Sequence, residues 1–198
     1  MPAWTKITLS NDDIMLCWNF SNEIIRGENQ YDRMMKSGLS LNDRLSFRVK
    51  RTFVGKIGEM AFYRFLEQNG IHPGNLDEMF AIFEGQTNVD PFDFQTADGE
   101  SVDVKTAVFS NHRNLVVPID QFRNIPKDYY VGTKLELPAY IRDYDSTFTP
   151  ECITDVYICG FATYEQMRQC YTTNLGEFDC KAKRLTELHD IAELIRLF

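Results

Sequence analysis

Residues 93–106 read Asp-Phe-Gln-Thr-Ala-Asp-Gly-Glu-Ser-Val-Asp-Val-Lys-Thr, and this stretch decides the fold that we expect. Asp98-Gly99 is a turn signal because both residues tolerate positive φ, so the stretch predicts a β-hairpin. In the second arm two valines alternate with Asp103 and Lys105. Because side chains alternate along a strand, the valines share one face and the Asp–Lys pair shares the other.

The register of this hairpin decides whether its acidic residues meet. Directly opposed residues of an antiparallel pair point to the same side of the sheet. A two-residue turn would make Asp93 face away from Asp103 and Lys105. We therefore predict a three-residue loop at 98–100, or a bulge, which pairs Asp93 with Lys105 and puts the three groups on one face. An ordinary amphipathic hairpin with a surface ion pair is the alternative for this stretch alone.

The composition is that of one globular domain. The chain has 198 residues, of which 43% are hydrophobic, and a formal net charge of −8. This charge argues against nonspecific coating of nucleic acid but allows a focused nucleic-acid site. The chain has no apolar run of membrane-spanning length and no signal-peptide pattern, so we expect no membrane association and a cytoplasmic location. Five scattered cysteines and three histidines do not have the spacing of a zinc site.

The first 70 residues favour helices. Ser10 is a candidate N-cap for a helix over about 11–25, and a short helix is predicted over 29–36. Ser40 is the next candidate N-cap, and the apolar spacing predicts a long helix to about residue 69. Two glycines at 55 and 58 interrupt this helix, which indicates that another element or a ligand comes close to its backbone.

One side of the long helix is unusually basic for an acidic chain. The side chains that share this side, at spacings of three and four, are Arg44, Arg48, Arg51 and Glu59, with Gly55 between the last two. With Lys56 nearby, the basic residues suggest a track for phosphates that leads towards Glu59. A solvated helix face with a surface carboxylate is the alternative.

The rest of the chain alternates strands with short helices. A strand is predicted at 114–118, a short helix near 120–122, a strand at 129–135 and a buried strand at 155–161. Thr163 and Gln166 form a capping box for a helix to about 171. Residues 172–184 read as a polar connection with weak strand character, and 186–198 as a C-terminal helix.

Together these pieces resemble the PD-(D/E)xK nuclease superfamily, which has the restriction-endonuclease-like fold. The residues that carry the resemblance are the helix ending Gly55-Lys56-Ile57-Gly58-Glu59, the strand opened by Asp93, and Asp103-Val104-Lys105 on the return strand. The resemblance implies an α/β core over 46–171 with a central mixed sheet of four to five strands flanked by helices. It leaves extra N-terminal helices over 1–45 and a C-terminal helix over 172–198, within a single domain.

The resemblance also implies a site. Asp93 and Asp103 would coordinate Mg²⁺, or Mn²⁺ in its place, with the Val104 carbonyl as a further oxygen ligand. Glu59 would reach a metal-bound water or a second ion, and Lys105 would hold the attacking water. The usual Pro-Asp order is inverted here as Asp90-Pro91, so Asp90 is an alternative to Asp93 as the ligand. Gln121 is a weaker site candidate.

The function that the resemblance implies is metal-dependent hydrolysis of DNA phosphodiester bonds by an endonuclease of the restriction, repair or mobile-element type. Arg44, Arg48, Arg51 and Lys56 would contact backbone phosphates, and cleavage of both strands would favour a homodimer. A non-catalytic module that binds nucleic acid or protein on the same scaffold is one alternative, and a nuclease for RNA or single strands is another.

Overall fold

The computed structural model describes residues 3–27, 40–82, 92–175 and 178–198. In these ranges the chain is an α/β protein with one mixed five-stranded sheet and a smaller three-stranded sheet. The helices are α1 (Asn11–Arg26), α2 (Leu41–Gln68), α3 (Leu76–Met79), α4 (Ile119–Asn124), α5 (Tyr164–Gln169) and α6 (Ile191–Ile195). The strands are β1 (Thr5–Ile7), β2 (Phe94–Gln95), β3 (Ser101–Ala107), β4 (Asn114–Pro118), β5 (Tyr129–Glu136), β6 (Asp155–Thr163), β7 (Thr172–Asn174) and β8 (Asp179–Arg184). No helix within these ranges combines the length and apolar character that crossing a bilayer requires.

The caps of the first two helices confirm the boundaries predicted from sequence. Ser10 Oγ accepts a hydrogen bond from Asp13 N at 3.1 Å, and the Asp13 carboxylate accepts one from Ser10 N, which completes a capping box. Ser40 caps α2 in the same position by accepting from Asp43 N. Past the end of α2, Gly70 has φ of +77°, the left-handed conformation that glycine favours after a helix. Local side-chain chemistry therefore sets both starts.

Only one of the two glycines in α2 lies against another element. A Cβ added to Gly58 would lie 2.0 Å from Thr106 Oγ1 and 2.8 Å from Thr133 Oγ1, so glycine lets α2 approach β3 and β5. A Cβ added to Gly55 would meet no atom of the described residues within 4 Å. Close approach of another element is thus confirmed at Gly58, and at Gly55 the approach of an element or a ligand stays a prediction.

The five-stranded sheet has the order β1-β6-β5-β3-β2. Strand β3 runs parallel to β5, and the other neighbours are antiparallel. The valine face of β3 packs in one core with α2, whose buried contributions include Phe53 and Ile57. The opposite face contributes Ala107 and, from β5, Tyr130 to a second core under the smaller sheet. Strand β1 was not predicted, because three residues are too few to establish a period.

The predicted hairpin is present, but its loop lies one residue earlier than expected. Phe94 pairs with Val102 and Gln95 with Ser101, and Thr96 N donates to Glu100 O at 3.0 Å. The three-residue loop is therefore 97–99, with Gly99 at φ +86°, and not 98–100.

This correction changes the residue that the register would place opposite Asp93. Continued by one residue beyond Phe94, the observed register would place Asp93 opposite Asp103 instead of Lys105. A shift of two residues along a strand keeps side chains on the same face. The common face of Asp93 with Asp103 and Lys105 stays a prediction, because Asp93 N donates to Val102 O at 3.0 Å, outside that register.

The smaller sheet, of order β4-β8-β7, corrects the reading of the C-terminal third. Strand β4 has the predicted bounds 114–118, but it pairs with β8 and does not join the five-stranded sheet. The segment expected to be a polar connection supplies the other two strands. Charged side chains alternate with Cys180 and Ala182 in Asp179–Arg184, but Asp, Lys and Ala have low β-propensity, so the sequence gives little sign of a strand.

The C-terminal helix predicted over 186–198 is mostly wrong, since only Ile191–Ile195 is α-helical. Leu185 and Leu188 instead pack over Gly132, where an added Cβ would lie 2.9 Å and 2.6 Å from their side chains. His189 N and O exchange hydrogen bonds with the main chain of Phe161 at 2.8 Å and 3.1 Å. Leu185–Glu187 forms a 3₁₀ turn and Leu188 is extended, so both leucines are buried in the second core and the α-helix predicted from residue 186 does not form there.

Candidate active site at the β2 edge

The candidate site lies where the short strand β2 begins, beyond which the described residues give β3 no neighbouring strand on this side. Asp93 immediately precedes β2, and its Oδ2 accepts a hydrogen bond from Val104 N at 2.7 Å. In a continuing ladder that N–H would donate to the carbonyl of residue 92. The Asp93 carboxylate therefore replaces a main-chain acceptor and is fixed against the edge of β3. Since the N–H and C=O of a strand residue point to the same side, the Val104 carbonyl also points towards this edge.

Asp103 and Lys105 share one face of β3, as the alternation predicted. Asp103 Oδ2 lies 2.6 Å from Lys105 Nζ, and the two side chains are 6% and 22% exposed. The contact lacks the angle of a hydrogen bond, and Asp103 Oδ2 has no other partner in the described residues. Asp103 thus presents a buried carboxylate oxygen that only an ion pair neutralises, and such an oxygen suits a cation.

Glu59 comes to the same edge from α2. Its Oε2 lies 2.6 Å from Lys56 Nζ, one helical turn earlier, and its side chain is 15% exposed. The Lys56 ammonium also donates to Met79 O at 2.9 Å. Gly58 allows α2 to pack against β3 and β5, which brings the neighbouring Glu59 to the sheet.

The shift in the pKa of Asp93 shows which charged groups lie near its carboxylate. Burial raises the pKa of the Asp93 carboxyl well above its usual range, and the negative charges of Glu59 and Asp103 raise it further. Lys105 and the hydrogen bond from Val104 N oppose this shift without cancelling it. The three acids and Lys105 that the sequence assigned to one site therefore interact electrostatically.

Lys127 belongs to the same environment, and sequence reasoning missed it. It is 5% exposed, and its Nζ donates to Ile125 O at 3.0 Å. Burial lowers the pKa of Lys127, while the charge of Asp103 acts in the opposite direction and that of Lys105 lowers it further. The one available signal was its place just before β5, because Tyr130 of β5 pairs directly with Asp103.

The basic residues predicted to form a phosphate track separate into two groups. Arg44, Arg48 and Arg51 lie in the first half of α2, and the Arg51 guanidinium lies 5.6 Å from the centre of the Phe47 ring. Lys56 instead pairs with Glu59 inside the candidate site. The structure therefore places Lys56 with the carboxylates rather than with the arginines.

Asp90 and Gln121 are the remaining sequence candidates for the site. Asp90 and the predicted helix over 29–36 lie outside the described residues. Gln121 lies in α4, whose Phe122 packs 6.1 Å from Tyr130, and within the described ranges its side chain makes no hydrogen bond. Of the two alternative metal ligands, Asp90 and Asp93, only Asp93 belongs to the described residues.

The oxygen atoms that the described residues bring to the site are of the type that binds a hard divalent cation, but their arrangement is not that of a formed metal site. Carboxylates and a main-chain carbonyl are the ligands that Mg²⁺ and Mn²⁺ prefer. Among the described residues, however, no three acidic, cysteine or histidine side chains are grouped as they would be around a metal ion. Lys56 and Lys105 hold Glu59 and Asp103 in ion pairs, so a cation would have to compete with both ammonium groups.

Comparison with models of protein families, with curated proteins and with solved structures gives no match.

Proposed function

We propose that the protein is a metal-dependent endonuclease that hydrolyses phosphodiester bonds of DNA. The observation that carries the proposal is that Asp93 interacts electrostatically with Glu59, Asp103 and Lys105, which come from α2 and β3, at the β2 edge of the sheet. Buried carboxylates that lie close together make each other's ionisation less favourable. Keeping them together therefore lowers the stability of the folded state. A site that binds a cation compensates that cost.

Each residue has a role in this proposal. Asp93 and Asp103, with the Val104 carbonyl, would hold Mg²⁺, and Glu59 would orient a water of the ion. When bound, the ion supplies a nucleophilic water at neutral pH and neutralises charge on the scissile phosphate. Lys105 would donate hydrogen bonds to the attacking water or to the developing negative charge.

The proposed substrate contacts come from the first half of α2. Arg44, Arg48 and Arg51 would bind phosphates of the DNA backbone, which positions a duplex without reading its sequence. Cleavage of both strands would require two such sites, so we also propose a homodimer.

The test is cleavage of supercoiled plasmid with Mg²⁺, with Mn²⁺ and with EDTA. We expect metal-dependent nicking that falls roughly 10²- to 10³-fold in Asp103→Asn, since a ligand carboxylate is lost. The matched control is Asp120→Asn on α4, an exposed carboxylate outside the cluster, which should cleave like the wild type.

A second candidate function is binding without catalysis, favoured by the ion pairs that already neutralise Glu59 and Asp103. Absence of turnover on plasmid, single-stranded DNA and RNA, with either metal, would support that function. Turnover on RNA alone would change the substrate and keep the hydrolytic site.

A further inference from the structure

Lys56 is held inside the candidate site by four contacts. Its Nζ lies 2.6 Å from Glu59 Oε2 and donates to Met79 O at 2.9 Å. The same ammonium lies 5.1 Å and 5.7 Å from the ring centres of Phe20 and Phe80. Aromatic faces and carbonyl oxygens favour a cation, so this pocket is built to keep the ammonium charged and in place.

The charge state of Lys56 agrees with that geometry. Burial acts to lower the pKa of Lys56, but attraction and hydrogen bonding to Glu59, together with the charge of Asp93, raise it overall. Lys50 provides a comparison on the same helix, since it is also buried but donates to the main-chain carbonyl of Asp145. Burial lowers the pKa of Lys50, only partly opposed by the charge of Asp145. Lys56 is thus paired with a site carboxylate, and Lys50 is not.

Among the described residues, the cluster holds as many carboxyl groups as amino groups. Its carboxylates are Glu59, Asp93 and Asp103, and its ammonium groups are Lys56, Lys105 and Lys127. A divalent cation that enters alone adds positive charge close to three ammonium groups, which the low-dielectric surroundings make costly. A phosphodiester brings negative charge and reduces that excess.

We propose that Lys56 is a resident counter-ion of Glu59 that weakens binding of a divalent cation on its own and thereby couples metal binding to arrival of the phosphodiester. This inference rests on the proposed function, because it concerns the same site. Lys56 is in this sense a positioning residue, which acts through Glu59 and through its charge. It replaces the phosphate-contact role that the sequence suggested for this lysine.

The test measures Mn²⁺ binding without DNA, by the electron paramagnetic resonance signal of the free ion. We expect Lys56→Met to bind Mn²⁺ about tenfold more tightly than the wild type, since one nearby positive charge is removed. Lys56→Arg keeps the charge and should bind as weakly as the wild type. The matched control is Lys50→Met, which removes a buried lysine of the same helix and should leave Mn²⁺ binding unchanged. Equal or weaker binding by folded Lys56→Met overturns the proposal.

A second measurement uses the wild type and does not depend on how any variant folds. A duplex oligonucleotide with phosphorothioate linkages, which resist hydrolysis, should tighten Mn²⁺ binding by the wild type about tenfold. Mn²⁺ binding that is indifferent to the oligonucleotide overturns the coupling.

The plasmid assay separates the two levels of inference. If the wild type cleaves DNA but Lys56→Met gains no affinity for Mn²⁺, the counter-ion role fails and the nuclease proposal stands. If the wild type neither cleaves any nucleic acid nor binds Mn²⁺ with the oligonucleotide present, both fail.

Discussion

The two edges of the five-stranded sheet carry the same kind of ion pair in opposite surroundings. At the β1 edge, Lys6 Nζ lies 2.7 Å from Asp155 Oδ2, and the lysine side chain is 54% exposed. At the β2 edge, the Lys105–Asp103 pair has nearly the same length, but its lysine is 22% exposed. At the first pair, Thr8 Oγ1 donates to Asp155, and one further carboxylate, Glu136, acts on Lys6. The second lies among further carboxylates and lysines.

One aspartate from each edge, Asp155 and Asp93, has a shifted pKa, and the two shifts have opposite directions. The hydrogen bonds from Lys6 and Thr8 hold the pKa of Asp155 below its usual range. Burial and the neighbouring acids raise the pKa of Asp93. An Asp–Lys contact is therefore a poor indicator of function by itself, and the number and burial of the charges around it are more informative.

The largest difference between the edges should appear in activity. Replacement of Lys105 by alanine should reduce metal-dependent DNA cleavage roughly 10²- to 10³-fold, because a donor to the reacting centre is lost. The control is Lys6→Ala, which breaks the ion pair of the other edge and should retain the wild-type rate. Initial rates of plasmid nicking measure both, and equal losses in the two variants would contradict an active site at β2.

The packing that brings Glu59 to the β2 edge can be broken at one glycine. Gly58→Ala should lower the free energy of unfolding by about 1–3 kcal/mol, because its Cβ would overlap Thr106 Oγ1. Gly55→Ala, one turn earlier, has room for a Cβ and should raise that free energy by up to about 1 kcal/mol through helix propensity. Urea denaturation of both variants provides the measurement, and a stable Gly58→Ala protein would contradict the close approach of α2.

The pH dependence of stability should have opposite signs at the two edges. The raised pKa of Asp93 means that the folded state binds more protons than the unfolded state, so the Asp93 contribution to stability falls as the pH rises through that range. Wild-type protein in EDTA should therefore lose stability relative to Asp93→Asn as the pH rises from acidic to neutral.

The opposite edge gives the control for this experiment. Asp155 has a lowered pKa, so its contribution is present above the unfolded value and is lost as the pH falls through the folded one. Asp155→Asn should consequently differ from the wild type at neutral pH and converge with it in acid. Denaturation midpoints across pH measure both differences, and the same sign at Asp93 and Asp155 would contradict the assignment.

The parts of the fold that the sequence predicts are those that depend on local chemistry. Ser10 and Ser40 cap helices by bonds to residues three positions away, and Gly99 permits the hairpin turn whatever the rest of the chain does. Alternation in β3 placed Asp103 and Lys105 on one face. The exact loop was not predictable, because loops at 97–99 and 98–100 both contain Asp98-Gly99 and both preserve that face.

The parts that sequence reasoning missed depend on residues distant in the chain. Leu188 fits the spacing of the predicted C-terminal helix, but it packs over Gly132 with an extended backbone, directly after the 3₁₀ turn at Leu185–Glu187. Lys127 has no motif around it and enters the site through the parallel pairing of β3 with β5. The pair of Lys56 with Glu59 has a local i, i+3 spacing, but the contacts of Lys56 with Met79 and Phe80 depend on where α2 packs.

The pairing of β4 with β8 has a consequence for the order in which the chain can fold during synthesis. Asn114 pairs with Arg184 and Pro118 with Cys180. During synthesis, β4 therefore cannot pair until β8, about 60 residues later in the chain, has left the ribosome. Until then the side chains of Leu115 and Val117, which are buried in the folded protein, remain partly exposed to solvent. Nascent chains that stop before residue 179 should therefore be good substrates for chaperones that recognise exposed aliphatic segments.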